Sequence, residues 1–194
     1  MTDYTQLGMP LDVFVQRMNQ QKFELIDGEI IAMTPTQRPH SDTAKRLYDR
    51  ILLFLVEHDL GEIYMETTYA LQDTSQWVTG ARIPDLMFFE RRRYDDYIAE
   101  RPTDDNAPYL LIPDLVVEII SPTDKYSVVR QKISAYLGDG VRQIWIIDPQ
   151  TRTIDIYTAD APPQTLTADD TLTGGTVLAG FEARVEVLFG RTKS

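Results

Sequence analysis

The segment Asp114-Leu115-Val116-Val117-Glu118-Ile119-Ile120 is a nearly unbroken apolar run with a carboxylate near its end. Runs of this kind form strands covered on both faces. A carboxylate taken out of water there is costly unless a cation, strong donors or a proton offsets it. Pairing with an arginine or placement at an exposed strand end would satisfy Glu118, and so would a metal ion. Asp85 has the same character: in Pro84-Asp85-Leu86-Met87-Phe88-Phe89 it opens an apolar strand on the face of Met87 and Phe89. Alone it reads as a turn cap. Together, two carboxylates at the ends of neighbouring strands are what a hard divalent cation needs, with waters and a substrate phosphate completing its shell. Lys132 lies on the following helix beside an apolar stripe of Tyr126, Val129, Ile133, Tyr136 and Leu137. Its stem can run along the core and present the ammonium near the strand end, or simply snorkel to solvent. His40, in line with Ala44, Leu47 and Tyr48 at the start of a long helix, faces inward, either as a structural histidine or as a neighbour of the same site.

The elements that must position these residues follow from periodicity and turn chemistry. Leu11 to Asn19 reads as a short amphipathic helix, and Lys22 to Met33 as a hairpin turning at Asp27-Gly28, a favoured two-residue turn. A helix is expected from an N-cap at Ser41 or Asp42 to about His58, with Gly61 just beyond its end. Glu62 to Leu71 and Ile83 to Phe89 read as strands separated by a polar connection, Gln72 to Arg82. Glu90 to Pro113 reads as a loop excursion. The Asp114 to Ile120 run is the expected central strand. A helix from Asp124 to about Leu137, stopped by Gly138-Asp139-Gly140, and a buried strand Gln143 to Asp148 complete a strand-helix-strand unit. Thr153 to Tyr157, Gln164 to Thr167 and Thr176 to Leu178 add a C-terminal β-meander, and Val185 to Phe189 a terminal helical turn. The fold class is α/β: a mixed β-sheet with a parallel crossover, flanked by helices, with an N-terminal helix and hairpin.

Composition bounds the chemistry. The 194 residues, 43% apolar and 25% charged, suit a single domain over residues 1–194 and exclude a collagen or a disordered chain. With no cysteine there is neither a disulfide framework nor a thiolate metal site, so a metal must be held by oxygen or imidazole, which points to Mg2+ or Mn2+. The formal charge of −11 argues against a protein that coats nucleic acid by bulk attraction, while leaving room for a local basic groove. The Arg91-Arg92-Arg93 run reads either as part of such a groove or as a solvated loop. No apolar run reaches the roughly 18 to 20 residues of a membrane span, and Met1 to Pro10 lacks signal-peptide character, so a soluble, cytoplasmic protein is expected.

Several motifs together carry a family resemblance. Phe23-Glu24-Leu25-Ile26-Asp27-Gly28-Glu29-Ile30, His40, Ile83-Pro84-Asp85-Leu86, Pro113 to Pro122, Lys132 with Tyr136, Gly140-Val141 and Trp145-Ile146-Ile147-Asp148-Pro149 follow one another in order. In this the chain resembles the Uma-two family of restriction-endonuclease-like proteins, within the PD-(D/E)XK nuclease superfamily, over roughly residues 11 to 189. The resemblance implies a restriction-endonuclease-like core with a four- to five-stranded mixed sheet. It implies Asp85 and Glu118 as metal ligands, Lys132 as the catalytic lysine, and Glu24 and His40 as site neighbours. The superfamily's common form places the lysine two residues after the glutamate. Here that position is Ile120, and Lys132 fits a lysine moved to the following helix.

The implied function is a Mg2+- or Mn2+-dependent endonuclease acting on nucleic acid, DNA above all, with Asp85, Glu118 and the Ile119 carbonyl around the ion. Arg82, Arg91, Arg92, Arg93, Lys125 and Arg130 are the candidate phosphate contacts. A homodimer is expected, since two copies of a site related by two-fold symmetry suit cutting both strands of a duplex. Two alternatives stay open: a catalytically degenerate nuclease-fold module for nucleic-acid or protein interaction, and a hydrolase of small phosphoesters.

Overall fold

The computed structural model describes residues 7–33, 37–101 and 107–190. Its centre is a six-stranded mixed sheet, ordered β11-β10-β9-β8-β7-β4, built from β4 (Gly61–Met65), β7 (Leu86–Glu90), β8 (Leu115–Ile119), β9 (Gln143–Asp148), β10 (Thr153–Thr158) and β11 (Ala161–Leu166). Only β8 and β9 pair in parallel, with Glu118 opposite Ile146, and the crossover between them is the helix α4 (Tyr126–Asp139). As the apolar run predicts, β8 lies centrally, bonded to β7 on one side and β9 on the other.

Alternation along the strands divides the core in two. Leu86, Phe88, Leu115, Val117, Ile119, Trp145 and Ile147 point to one face, covered by α2 (Arg38–His58) and the C-terminal segment. Met87, Phe89, Val116, Ile144 and Ile146 point to the other, where Ile133 and Tyr136 of α4 pack. Glu118, in step with Val116, therefore faces α4.

A second sheet, interleaved with the first along the chain, is built around the predicted N-terminal hairpin. It has five strands: β1 (Met9–Pro10), β6 (Trp77–Arg82), β2 (Phe23–Ile26) and β3 (Glu29–Ala32) in that order, with β5 (Tyr69–Thr74) paired to β6. The helix α1 (Leu11–Met18) buries Phe14 against Phe23. The β2–β3 turn uses Asp27 and Gly28 at φ 51° and 80°, the backbone that the Asp-Gly pair favours.

Five expectations are corrected. The single strand expected over Glu62 to Leu71 is two, since β4 ends at Met65 and β5 begins at Tyr69 in the other sheet. The stretch Gln72 to Arg82 belongs to a β-hairpin, not a polar connection: Asp73 to Gln76 form its exposed tip, while Val78 and Ala81 reach the core. The excursion after Glu90 contains α3 (Arg91–Glu100), which buries no side chain and so leaves no apolar stripe to read; Arg91–Asp95 and Arg92–Asp96 pairs one turn apart brace it. Residues 102–106 of that excursion lie outside the described residues. The helix α2 begins at Arg38, ahead of the expected cap, because Pro39 is compatible with a first turn. Thr176 to Leu178 is no strand: Val177 and Leu178 are buried in a turn between β12 (Thr171–Thr173) and β13 (Glu182–Arg184), which form a separate pair. A 3-10 turn, Val185–Leu188, ends the described chain as expected.

Among the described residues no helix is long and apolar enough to cross a membrane. At the start of β4, a Cβ added to Gly61 would lie 1.9 Å from the Phe89 carbonyl oxygen. Gly61→Ala is therefore expected to destabilise the fold by on the order of 3 kcal/mol, through a forced separation of β4 and β7. An unchanged urea midpoint would contradict this.

Candidate active site

The β7/β8 register pairs Leu86 with Val117 and Met87 with Val116, so one further step sets Asp85 opposite Glu118. The ladder stops there. Asp85 instead turns its side chain to the backbone, and Oδ2 accepts the Ile119 N–H at 2.7 Å. The same oxygen lies 3.1 Å from His40 Nε2 in the first turn of α2. Asp85 and His40 are both buried, at 7% exposure each. Burial, the largest influence on His40, disfavours its charged form. The hydrogen bond to Asp85 and the charges of Asp85, Glu118 and Asp124 together outweigh it, lifting the imidazole above the ordinary histidine value.

Glu118 is held from the opposite side by α4. Lys132 Nζ donates to Oε1 at 3.1 Å and Oε2 at 3.2 Å, and Tyr136 OH donates to Oε1. One helical turn separates Lys132 from Tyr136, so both reach the same carboxylate. Burial raises the Glu118 carboxyl to about 7; Lys132 opposes the rise, and the charges of Asp85 and Glu24 add to it. Lys132 moves the other way in effect: burial disfavours its charge, but Glu118 and Glu24 more than restore it, and its affinity for a proton is raised. Tyr136 is raised by burial first and then by the Glu118 and Glu24 charges, so it remains a donor.

Glu24 joins the two halves of the molecule. Wholly buried on β2, it accepts the Ile83 N–H at 3.1 Å through Oε1 and lies 3.2 Å from Lys132 Nζ through Oε2. The small sheet thereby fixes both the lysine and the backbone two residues before Asp85.

Glu24, His40, Asp85, Glu118, Lys132 and Lys125 all line one cleft of about 360 Å3, between β3 and the start of α4. Five of these come from elements far apart in sequence. Among the described residues, no three histidine or acidic side chains converge into a ready-made metal cage. Asp85 and Glu118 are the two carboxylates that end neighbouring strands at this cleft.

The predicted phosphate contacts divide. Lys125 lines the cleft, and Arg130 is exposed further along α4, its guanidinium 5.9 Å from the Tyr126 ring centre. Arg82 does not reach it: it is 4% exposed, bonded to the Leu25 carbonyl and paired with Asp139 at 3.2 Å. The arginine run lies past the far end of β7, roughly 17 Å along the strand from Asp85. There Arg91 pairs with Asp59 and Glu62, Arg92 with Asp96 and Arg93 with Asp114. A charge run in sequence carries no record of its strand end, which explains the misplacement. Tyr126, expected in the buried stripe of α4, is 76% exposed. Conversely, Tyr136 reads from sequence as core, yet its hydroxyl is a partner of Glu118; its spacing of four from Lys132 is the signal that could have found it.

Comparison with known proteins bears on the fold and the family. The chain resembles a crystal structure from Anabaena variabilis ATCC 29413 described as a putative nuclease, with a TM-score of 0.73 and 21% identity over 93% of this chain and 97% of the other, a likeness of fold. No curated protein matches. Residues 3–186 match the family described as putative restriction endonucleases, and with its restriction-endonuclease-like fold the chain belongs to that family, Uma2.

Proposed function

We propose that the protein is a Mg2+- or Mn2+-dependent endonuclease that hydrolyses phosphodiester bonds of DNA. The observation that carries this reading is the meeting of Asp85, Glu118 and Lys132, from a strand start, a strand end and a helix, in one cleft. The donor set fits a hard cation. Both carboxylates are oxygen ligands, Asp85 spends its hydrogen bonds on Oδ2 alone, and the buried Glu118 carboxyl is raised first by burial and then by the neighbouring Asp85 and Glu24 charges, all of which a bound cation would offset.

Asp85 and Glu118 would hold the ion, which when bound polarises a phosphoryl oxygen and lowers the pKa of a water. The chain's own residues do the rest. His40 and the Ile119 N–H fix the Asp85 carboxylate, so it needs no reorganisation when substrate arrives. Tyr136 fixes Glu118. Glu24 and Glu118 hold the Lys132 ammonium at the cleft wall, where it offsets negative charge developing on the phosphoryl group and orients the attacking water by donating to it. Lys125, at the lip, meets a flanking phosphate. The apolar lining from Ile31, Met33 and Val129 excludes bulk water and strengthens each of these interactions.

A second reading, hydrolysis of a small phosphoester, is favoured by the distance of the arginine run from the cleft. One experiment addresses both. Mn2+ is titrated by calorimetry into wild type, Asp85→Ala and Glu118→Ala, and supercoiled plasmid is incubated with the same samples. Binding and nicking are expected in wild type and in neither variant. Binding without nicking would favour the small substrate, and no binding would overturn the metal-dependent reading.

A further inference from the structure

Lys132 depends on α4 for its position, yet little apolar packing holds α4. Among the described residues the helix buries only two side chains, Ile133 and Tyr136. Apolar contact is non-directional, so it resists separation but fixes the height of a helix along its own axis poorly. Two polar contacts do fix it. Lys132 Nζ lies between Glu24 and Glu118, and two turns further on, about 10 Å along the axis, Asp139 meets Arg82. This second pair is nearly dry, its side chains 5% and 6% exposed. Arg82 Nη2 donates to Asp139 Oδ1 at 3.2 Å, while Nη1 donates to the Leu25 carbonyl and, at 3.3 Å, to that of Ala81. The Tyr69 hydroxyl donates to Asp139 Oδ2 at 2.7 Å. Leu25 follows Glu24 in β2, and the Ile83 N–H that Glu24 accepts follows Arg82. One guanidinium thus ties the end of α4 to the two segments that hold Glu24, the partner of Lys132. Burying such a pair gains little stability, because the water that both charges lose offsets most of their attraction. Arg82 Nε, moreover, is buried without a hydrogen-bond partner among the described residues, a further cost. What a rigid fork with fixed acceptors does supply is register.

We infer that Arg82 and Asp139 are positioning residues for Lys132: their pair sets the axial position of α4 and so keeps the ammonium at the height where Glu24 and Glu118 both reach it and where it faces the cleft. The consequence for rate rests on the phosphodiester reading above. The hold on the ammonium does not, and it is measured separately.

Reductive methylation of metal-free protein, read by peptide mass spectrometry, reports that hold directly, because an ammonium whose proton is secured by two carboxylates reacts slowly. Lys45, exposed on α2, is the internal reference. Arg82→Lys keeps the charge but replaces the fork by a single ammonium, and Asp139→Asn keeps the size but removes the charge, so either carries the test should the other not fold. Gly61→Ala, at the start of β4, is the comparison for lost stability alone. Lys132 is expected to be methylated about threefold faster or more in Arg82→Lys and Asp139→Asn than in wild type, and at the wild-type rate in Gly61→Ala. Single-turnover plasmid cleavage at saturating Mn2+ should fall about tenfold in the first two, with Mn2+ affinity by calorimetry within about twofold of wild type. Wild-type labelling of Lys132 in the folded variants, equal acceleration in Gly61→Ala, or faster labelling with cleavage unchanged would each overturn the inference. Failure of wild type to nick plasmid in Mn2+ would instead overturn the nuclease reading, and the labelling would still decide whether the pair positions the lysine.

Discussion

Lys132→Met is expected to lower single-turnover cleavage by on the order of a hundred- to a thousandfold at saturating Mn2+, while Mn2+ binding persists. The magnitude is that of removing one preorganised charge from a site where negative charge develops. Methionine keeps the length and apolar stem, so the packing of α4 is preserved and the loss isolates the ammonium. Glu24 and Glu118 would then face each other without a cation, so circular dichroism must accompany the rates. Lys132→Arg, which retains charge within reach of the same carboxylates, should keep more activity than methionine. Glu24→Gln should lose less, because the amide oxygen can still accept the Ile83 N–H and only the attraction to Lys132 weakens. Cleavage by Lys132→Met at the wild-type rate would remove the lysine from the chemistry.

Asp114→Ala, by contrast, should act on stability alone. Asp114 begins the approach to β8, at the opposite end from Glu118, and is fully buried. Its Oδ1 receives Arg93 at 2.6 Å and Arg142 at 3.0 Å, and its Oδ2 accepts the Glu90 N–H at 2.9 Å. Alanine leaves that N–H unpaired and two guanidiniums without their common anion. Both arginines are partly exposed and can turn to water, so the cost is about 3 kcal/mol, at the low end for a broken buried pair. For a chain of this size that lowers Tm by roughly 6 to 12 °C. Below the transition, cleavage per folded molecule should equal wild type. An unchanged Tm, or a selective loss of activity, would show that the two ends of β8 are not independent in this way.

Much of this was legible in the residues. Glu118 stood out because its neighbours demand burial, Asp85 because it opens an equally apolar strand, and the crossover because an apolar run, an amphipathic helix and a second apolar run follow in turn. The β7/β8 register then makes the two carboxylates neighbours. What could not be read depends on partners distant in sequence. Arg82 is a cation by composition, but its role is to tie the Leu25 carbonyl to Asp139, whose other oxygen takes the Tyr69 hydroxyl at 2.7 Å. Four elements, β2, β5, β6 and α4, must be assembled before that network exists. Tyr126 and Tyr136 both looked like core. They differ only in where α4 leaves the sheet, and the helix must be docked before that is defined. The second sheet is not legible beyond its β2–β3 hairpin because β1 has two residues and β6 is short of large apolar side chains, so neither shows a strong alternation.

The outermost strand of the central sheet, β11, reads Ala-Pro-Pro-Gln-Thr-Leu, and its pairing with β10 slips between Ile156 and Thr158. Neither Pro162 nor Pro163 has an N–H to offer an incoming chain, and the irregular register bends the edge away from a flat template. At the other edge, β4 is flanked by α2 and α3. Strand addition to the central sheet is thus discouraged at its β11 margin, where an incoming chain would find neither a full row of donors nor a flat template.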